Sequence, residues 1–167
     1  MDAFGEDIMA TGDQLTAVKL SDLTRTSTTT PTIDPDLQVT LAANTTYIFE
    51  LTFRATSAGN QAIRFDFQAP GSLVRDHKAQ FYGTFRTSSN DTQSSQIGST
   101  GDEATSLATD VDTGIDSGIS TTSMCRCSGL LTTGGSGGTF GLRWAQRIST
   151  ATATTLFAGA FLIVTEA

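Results

Sequence analysis

The chain has 167 residues, with 10 basic side chains, 17 acidic ones and one histidine, for a net charge of −7. That length suits a single domain around one core, and the acidic balance excludes the basic stripe that nucleic-acid binders use to displace counterions. Only 16% of residues are charged, while thirty Thr, 16 Gly and 10 Phe fill the chain, a profile unsuited to helical bundles and suited to half-buried strands joined by tight turns.

Residues 1–26 are weakly patterned, with Phe4, Ile8, Met9, Leu15, Val18, Leu20 and Leu23 scattered among acids and glycine. They read as an N-terminal extended arm holding at most one short helical turn. Residues 1–10 carry three acids and no base, so the layout of a secretory signal is not expected. Arg25–Pro35 is a Thr/Pro run of edge-like character, because proline cannot donate to a ladder.

Period-two patterning begins at Leu37, Val39 and Leu41. After a turn at 42–45, Tyr47, Phe49, Leu51, Phe53 and Ala55 share one face, opposite Glu50, Thr52 and Arg54. Ile63, Phe65, Phe67 and Ala69 repeat the rhythm and stop at Pro70-Gly71, which reads as the second arm of a hairpin. Residues 73–78 read as a loop, followed by a strand carrying Ala79, Phe81, Gly83 and Phe85 on one side.

Residues 88–120 lack aromatic and basic residues. A structureless stretch of that length is rare inside a compact domain, so short strands are expected near Ser106–Val111 and from Ile115. Ser123–Leu131 is a further strand, and Thr132–Gly138 is a glycine turn. Phe140, Leu142 and Trp144 then alternate with Gly141, Arg143 and Ala145. Thr155–Val164 reads as a last, central strand apolar on both faces. Its apolar part is too short for the ~20 residues a bilayer demands, so no membrane partner is expected.

The expected fold is therefore all-β. It is a jelly-roll-like antiparallel β-sandwich of about eight strands over 27–167, with the arm at 1–26. Charge is segregated along it: residues 1–50 and 91–120 each sum to −6, and the remaining two stretches to +5. The acidic and Arg-bearing parts are thus set to attract one another within or between chains, or simply to keep the surface soluble.

The chemistry-bearing strings point away from catalysis. Asp112-Thr113-Gly114 and Asp116-Ser117-Gly118 match the Asp-Thr/Ser-Gly of aspartic proteases, but two copies four residues apart cannot face each other across one shared proton. Asp110, Asp112 and Asp116 lack the glycine and glutamate spacing of an EF-hand loop, so a cation there would be loosely held. Asp76-His77 has no nucleophile elbow to serve. Cys125 and Cys127, two apart, would strain the backbone if joined, and read as buried free thiols made in a reducing compartment. With one histidine they fall short of a structural zinc site. The run Gly134-Gly135-Ser136-Gly137-Gly138 lacks the Lys-Ser/Thr of a phosphate loop. Trp144 with Arg143 and Arg147 has the makings of a sugar platform, although its place on the Phe140/Leu142 face favours the core. No catalytic residue, cofactor or metal is expected.

Several segments taken together resemble a known module. They are Thr26–Thr30, Asp34-Pro35-Asp36-Leu37-Gln38-Val39-Thr40-Leu41 through Tyr47, Phe65–Gly71, Ser128–Gly135, Leu142–Gln146, and Ala151–Thr155 with Ala158-Gly159. In order and spacing they resemble a β-sandwich module of tailed-bacteriophage virion proteins, found in head-decoration, head-fibre and minor tail proteins. The resemblance runs from about Arg25 to the end of the chain. It implies a non-enzymatic virion component, assembled in the bacterial host cytoplasm and usually trimeric. A capsid decoration or cement protein is then expected, bound to the major capsid protein through Phe4, Ile8, Met9 and Leu15. The alternative is a minor tail or fibre protein that attaches to the host or binds glycans.

Overall fold

The computed structural model describes residues 12–57, 63–71, 73–88, 91–97, 111–112 and 122–167. Among them there is no helix, and twelve strands form two antiparallel sheets. In chain order they are β1 (Gln14–Val18), β2 (Leu23–Arg25), β3 (Thr32–Leu41), β4 (Thr46–Ser57), β5 (Ile63–Gln68) and β6 (Leu73–Ser88). They continue as β7 (Asp91–Ile97), β8 (Val111–Asp112), β9 (Thr122–Thr133), β10 (Gly138–Gln146), β11 (Thr154–Leu156) and β12 (Phe161–Glu166).

Eight of these form a jelly roll. β3 pairs with β10, β4 with β9, β5 with β8 and β6 with β7, nested like the two arms of one long hairpin. Further pairing of β5 with β10 and of β6 with β9 rolls that ribbon into two layers. One sheet runs β3-β10-β5-β8, and the other contains β4-β9-β6-β7. This is the sandwich the sequence implied, with four strands added along the β4 edge: β12 and then β1, together with β11 and β2.

Phenylalanine joins the layers. Phe49 of β4 lies 5.0 Å from Phe140 of β10 and 5.1 Å from Phe67 of β5, ring centre to ring centre. Phe67 and Phe140 stack at 5.3 Å, and Phe53 meets Phe65 edge-on at 5.4 Å. Tyr47, Phe49, Leu51, Phe53 and Ala55 are all buried, as their alternation requires. Leu37, Leu41, Ile63, Leu142, Trp144, Leu162 and Val164 complete the same core. At the turn between β3 and β4, Asn44 takes the left-handed conformation (φ 54°), which asparagine tolerates.

Four sequence expectations are corrected. The described part of the arm is built into the sandwich: Gln14–Val18 pairs along β12, and Leu23–Arg25 pairs with β11. Extended backbone with alternating burial (Ala17 in, Val18 out) lets this weakly apolar segment complete the sheet edge. β4 and β5 are not a hairpin, since they lie in opposite sheets and their aromatic faces meet across the core. Period two reports which face is buried but not which strand is the neighbour. The loop expected at 73–78 is the start of β6. The last strand divides into β11 and β12, and β12 buries only alternate residues. The polar stretch 88–120 contributes β7 and β8 among the described residues, and the rest of the strand expected at Ser106–Val111 lies outside them, as does Ile115.

Candidate functional site

The densest chemistry among the described residues lies where the N-terminal strands meet the smaller sheet. Lys19 follows β1 directly and prolongs its alternation, so its side chain turns inward on the side of Ala17. Its backbone is held by the β11–β12 turn: Lys19 N donates to Ala160 O (2.8 Å), and Gly159 N donates to Lys19 O (2.9 Å). Gly159 sits at φ +82°, the left-handed region that glycine enters at little cost.

On the facing strand the β3–β10 register slips. Gln38 opposes Gly141 and Ile33 opposes Arg143, so residues 34–37 bulge away from β10 around Pro35. The bulge re-aims Asp34 into the interior, where it is fully buried. Its carboxylate accepts from Lys19 Nζ at 3.0 and 2.9 Å, from Trp144 Nε1 at 3.1 Å, and from the backbone N–H of Asp36 at 3.0 Å. Asp36 Oδ2 lies 3.3 Å from the same ammonium, with 29% of its side chain exposed. Arg25 closes the cluster with its guanidinium carbon 4.2 Å from the Trp144 ring centre. The guanidinium donates to Thr32 O (2.9 Å), Ile33 O (3.3 Å) and Trp144 O. Burial lowers the Arg25 pKa from its ordinary value, and nearby Asp34 acts in the opposite direction.

This arrangement staples the N-terminal segment to β3 and β10. A buried ion pair contributes little net stability relative to an apolar replacement, because both charges lose their hydration. Removing one partner is far worse, at about 3–5 kcal/mol, since it strands the other charge. Sequence reasoning missed Lys19, Arg25 and Asp34 as a group. The signal was faint: residues 1–50 carry two basic residues, and both end in this cluster.

The residues singled out from sequence fare differently. Leu15 lies on β1, half-buried and packed against the core of the sandwich. Phe4, Ile8 and Met9 lie outside the described residues. On the same edge Val18 and Leu20 are exposed, Leu20 at 84%. Trp144 is fully buried with its N–H committed to Asp34, so its face is closed to sugars. Arg143 Nε lies 3.2 Å from Asp66 Oδ1, tying β10 to β5. Cys125 and Cys127 are buried free thiols on β9, and burial pushes the Cys125 thiol up to about 12 and Cys127 well above its ordinary value. Asp76 and His77 belong to β6, opposite Leu131 and Leu130. Asp112 pairs through its backbone with Arg64, while Asp110 and Asp116 lie outside the described residues. Among the described residues no three His, Cys, Asp or Glu side chains gather as metal ligands.

No family model matches the chain, and no curated protein matches it. Among solved structures, one of infectious bursal disease virus Gt strain matches at 9% identity with a TM-score of 0.24, covering 93% of this chain and 37% of that one. A structure of the Gx strain matches at 11% identity with a TM-score of 0.23, covering 93% and 36%. The chain thus spans little more than a third of either, and likeness at this level carries no argument about fold or function.

Proposed function

We propose that this chain is a structural virion protein of a tailed bacteriophage, a decoration or cement protein that binds the outside of the head as a homotrimer. Two supports bear on it. The sequence segments that resemble phage head-decoration and tail modules fall mainly on the jelly-roll strands. The observation that carries the reading is the augmented sheet edge, where Val18 and Leu20 present apolar side chains to solvent. Apolar side chains exposed beside a sheet edge suit docking more than solvation. Residues 1–11, with Phe4, Ile8 and Met9, lead into this same edge at Gly12.

Such a protein acts by mass action. A ligand that binds only the assembled shell stabilises it by about 2.7 kcal/mol at a hundredfold excess over Kd. Two experiments test the reading. Immunogold labelling of intact particles is expected on heads, and labelling confined to tails overturns the head assignment. Deleting residues 1–11, or introducing Leu20→Glu, is expected to lower retention on purified heads while leaving the fold intact. Unchanged occupancy in both removes this edge as the gripping surface.

A further inference from the structure

We propose that Lys19 and Asp34 condense into an intramolecular isopeptide bond that fastens the N-terminal strands covalently to β3. The inference is independent of the virion reading, because it rests only on the geometry and burial of this cluster.

The reacting groups are in place. Lys19 Nζ lies 3.0 and 2.9 Å from the two Asp34 oxygens, so the carboxyl carbon between them is within reach of the amine. Groups held at such separations react with effective concentrations of about 10⁵–10⁸ M when the approach is aligned. Each Asp34 oxygen also has an N–H beside it, Asp36 N at Oδ1 and Trp144 Nε1 at Oδ2. These fixed donors stabilise the negative charge that gathers on oxygen as the amine adds. Asp36 Oδ2, at 3.3 Å from Nζ, is the base that takes protons from the amine.

Atoms balance without any co-reactant. The Lys19 ammonium carries three protons. Two pass by way of Asp36 to one Asp34 oxygen, which departs as water, and one stays on the new amide nitrogen. The N–C bond forms as the C–O bond breaks, and no atom changes oxidation state. In water the ionised pair is favoured, because both charges are hydrated. Here Lys19 is 2% and Asp34 0% exposed, so that hydration is lost, and condensation replaces two buried charges with one neutral amide. The partly exposed Asp36 leaves the released molecule a way to solvent.

Denatured intact-mass spectrometry of the full-length protein tests this directly. The expected mass is one water below that of the sequence. In a tryptic digest, cleavage after Lys19 is expected to be lost, with residues 1–25 joined through Lys19 to residues 26–54. Lys19→Arg and Asp34→Ala are expected to restore full mass, a readout that holds whether or not either variant is stable. Asp36→Ala keeps the amine and carboxyl together but removes the base, so it is expected to fold and to lose water more slowly or not at all. A wild-type chain at full sequence mass after long incubation in native buffer overturns the proposal. So does a water loss that persists in Asp34→Ala or maps elsewhere.

Discussion

Truncating Phe49 to alanine tests the layered core at its centre. Phe49 is 1% exposed and touches two rings of the opposite sheet, Phe140 at 5.0 Å and Phe67 at 5.1 Å. Removing a buried phenylalanine costs about 3–5 kcal/mol through lost transfer energy and the cavity left behind. Each aromatic pair adds about 0.5–1.5 kcal/mol beyond its area. Phe67 and Phe140 still stack on one another, so part of the cavity wall persists and relaxation is incomplete. A loss of about 4 kcal/mol is therefore expected, roughly 10 °C in Tm for a domain of this size. The matched control is the neighbouring residue on the same strand. Ile48 points outward and is 53% exposed, so Ile48→Ala is expected to change stability by no more than about 0.5 kcal/mol. Urea unfolding at one fixed protein concentration, followed through the single tryptophan, measures both. Comparable losses at the two positions would refute the assignment of inner and outer faces on β4 and the sandwich built from it.

Arg25→Lys keeps the charge but loses the planar fork that reaches Thr32 O, Ile33 O and Trp144 O, so a loss of about 2 kcal/mol is expected in the same urea assay. Gly141→Ala places a Cβ 2.6 Å from Leu37 O and 2.7 Å from Gln38 Cβ, beside the β3 bulge. A penalty of about 1–3 kcal/mol is expected by thermal denaturation, and a neutral result would show that the bulge yields. Cys125 is expected to resist alkylation at pH 8 in the native protein and to react promptly in urea, because burial holds the thiol neutral. The linkage has a definite sign: with the Cys125 pKa raised to about 12 by folding, the folded state holds its proton longer than the unfolded chain. Stability is then full below about pH 9 and declines as pH rises from there toward 12, which urea unfolding across that range measures.

Much of the sandwich was legible because burial in a strand repeats every second residue. Tyr47 through Ala55, Ile63 through Phe67, and Phe140 through Trp144 each announce a buried face without reference to any partner. The N-terminal segment was not legible, since Leu15, Ala17 and Val18 bury too little apolar surface to signal a strand alone. They become one because β12 offers a vacant edge. The candidate site was less legible still. A lysine at a buried position breaks the polar–apolar rule, and Asp34 enters the core only because the β3 bulge turns it inward.

By itself the chain's order of residues determined that the protein is all-β, which faces of its main strands are apolar, and that Cys125 and Cys127 lie on one face of one strand. Tertiary structure alone decided that β4 and β5 face each other across the core rather than pair side by side, and that β1 pairs with β12 at the edge of the larger sheet. It alone brought Lys19, Arg25, Asp34 and Trp144 together, from positions up to 125 residues apart along the chain. The physical reason is that side-chain alternation is a property of local backbone geometry. Strand neighbours and buried ion pairs arise from long-range closure, where hydrogen-bonding edges and desolvated charges find partners that no local pattern records.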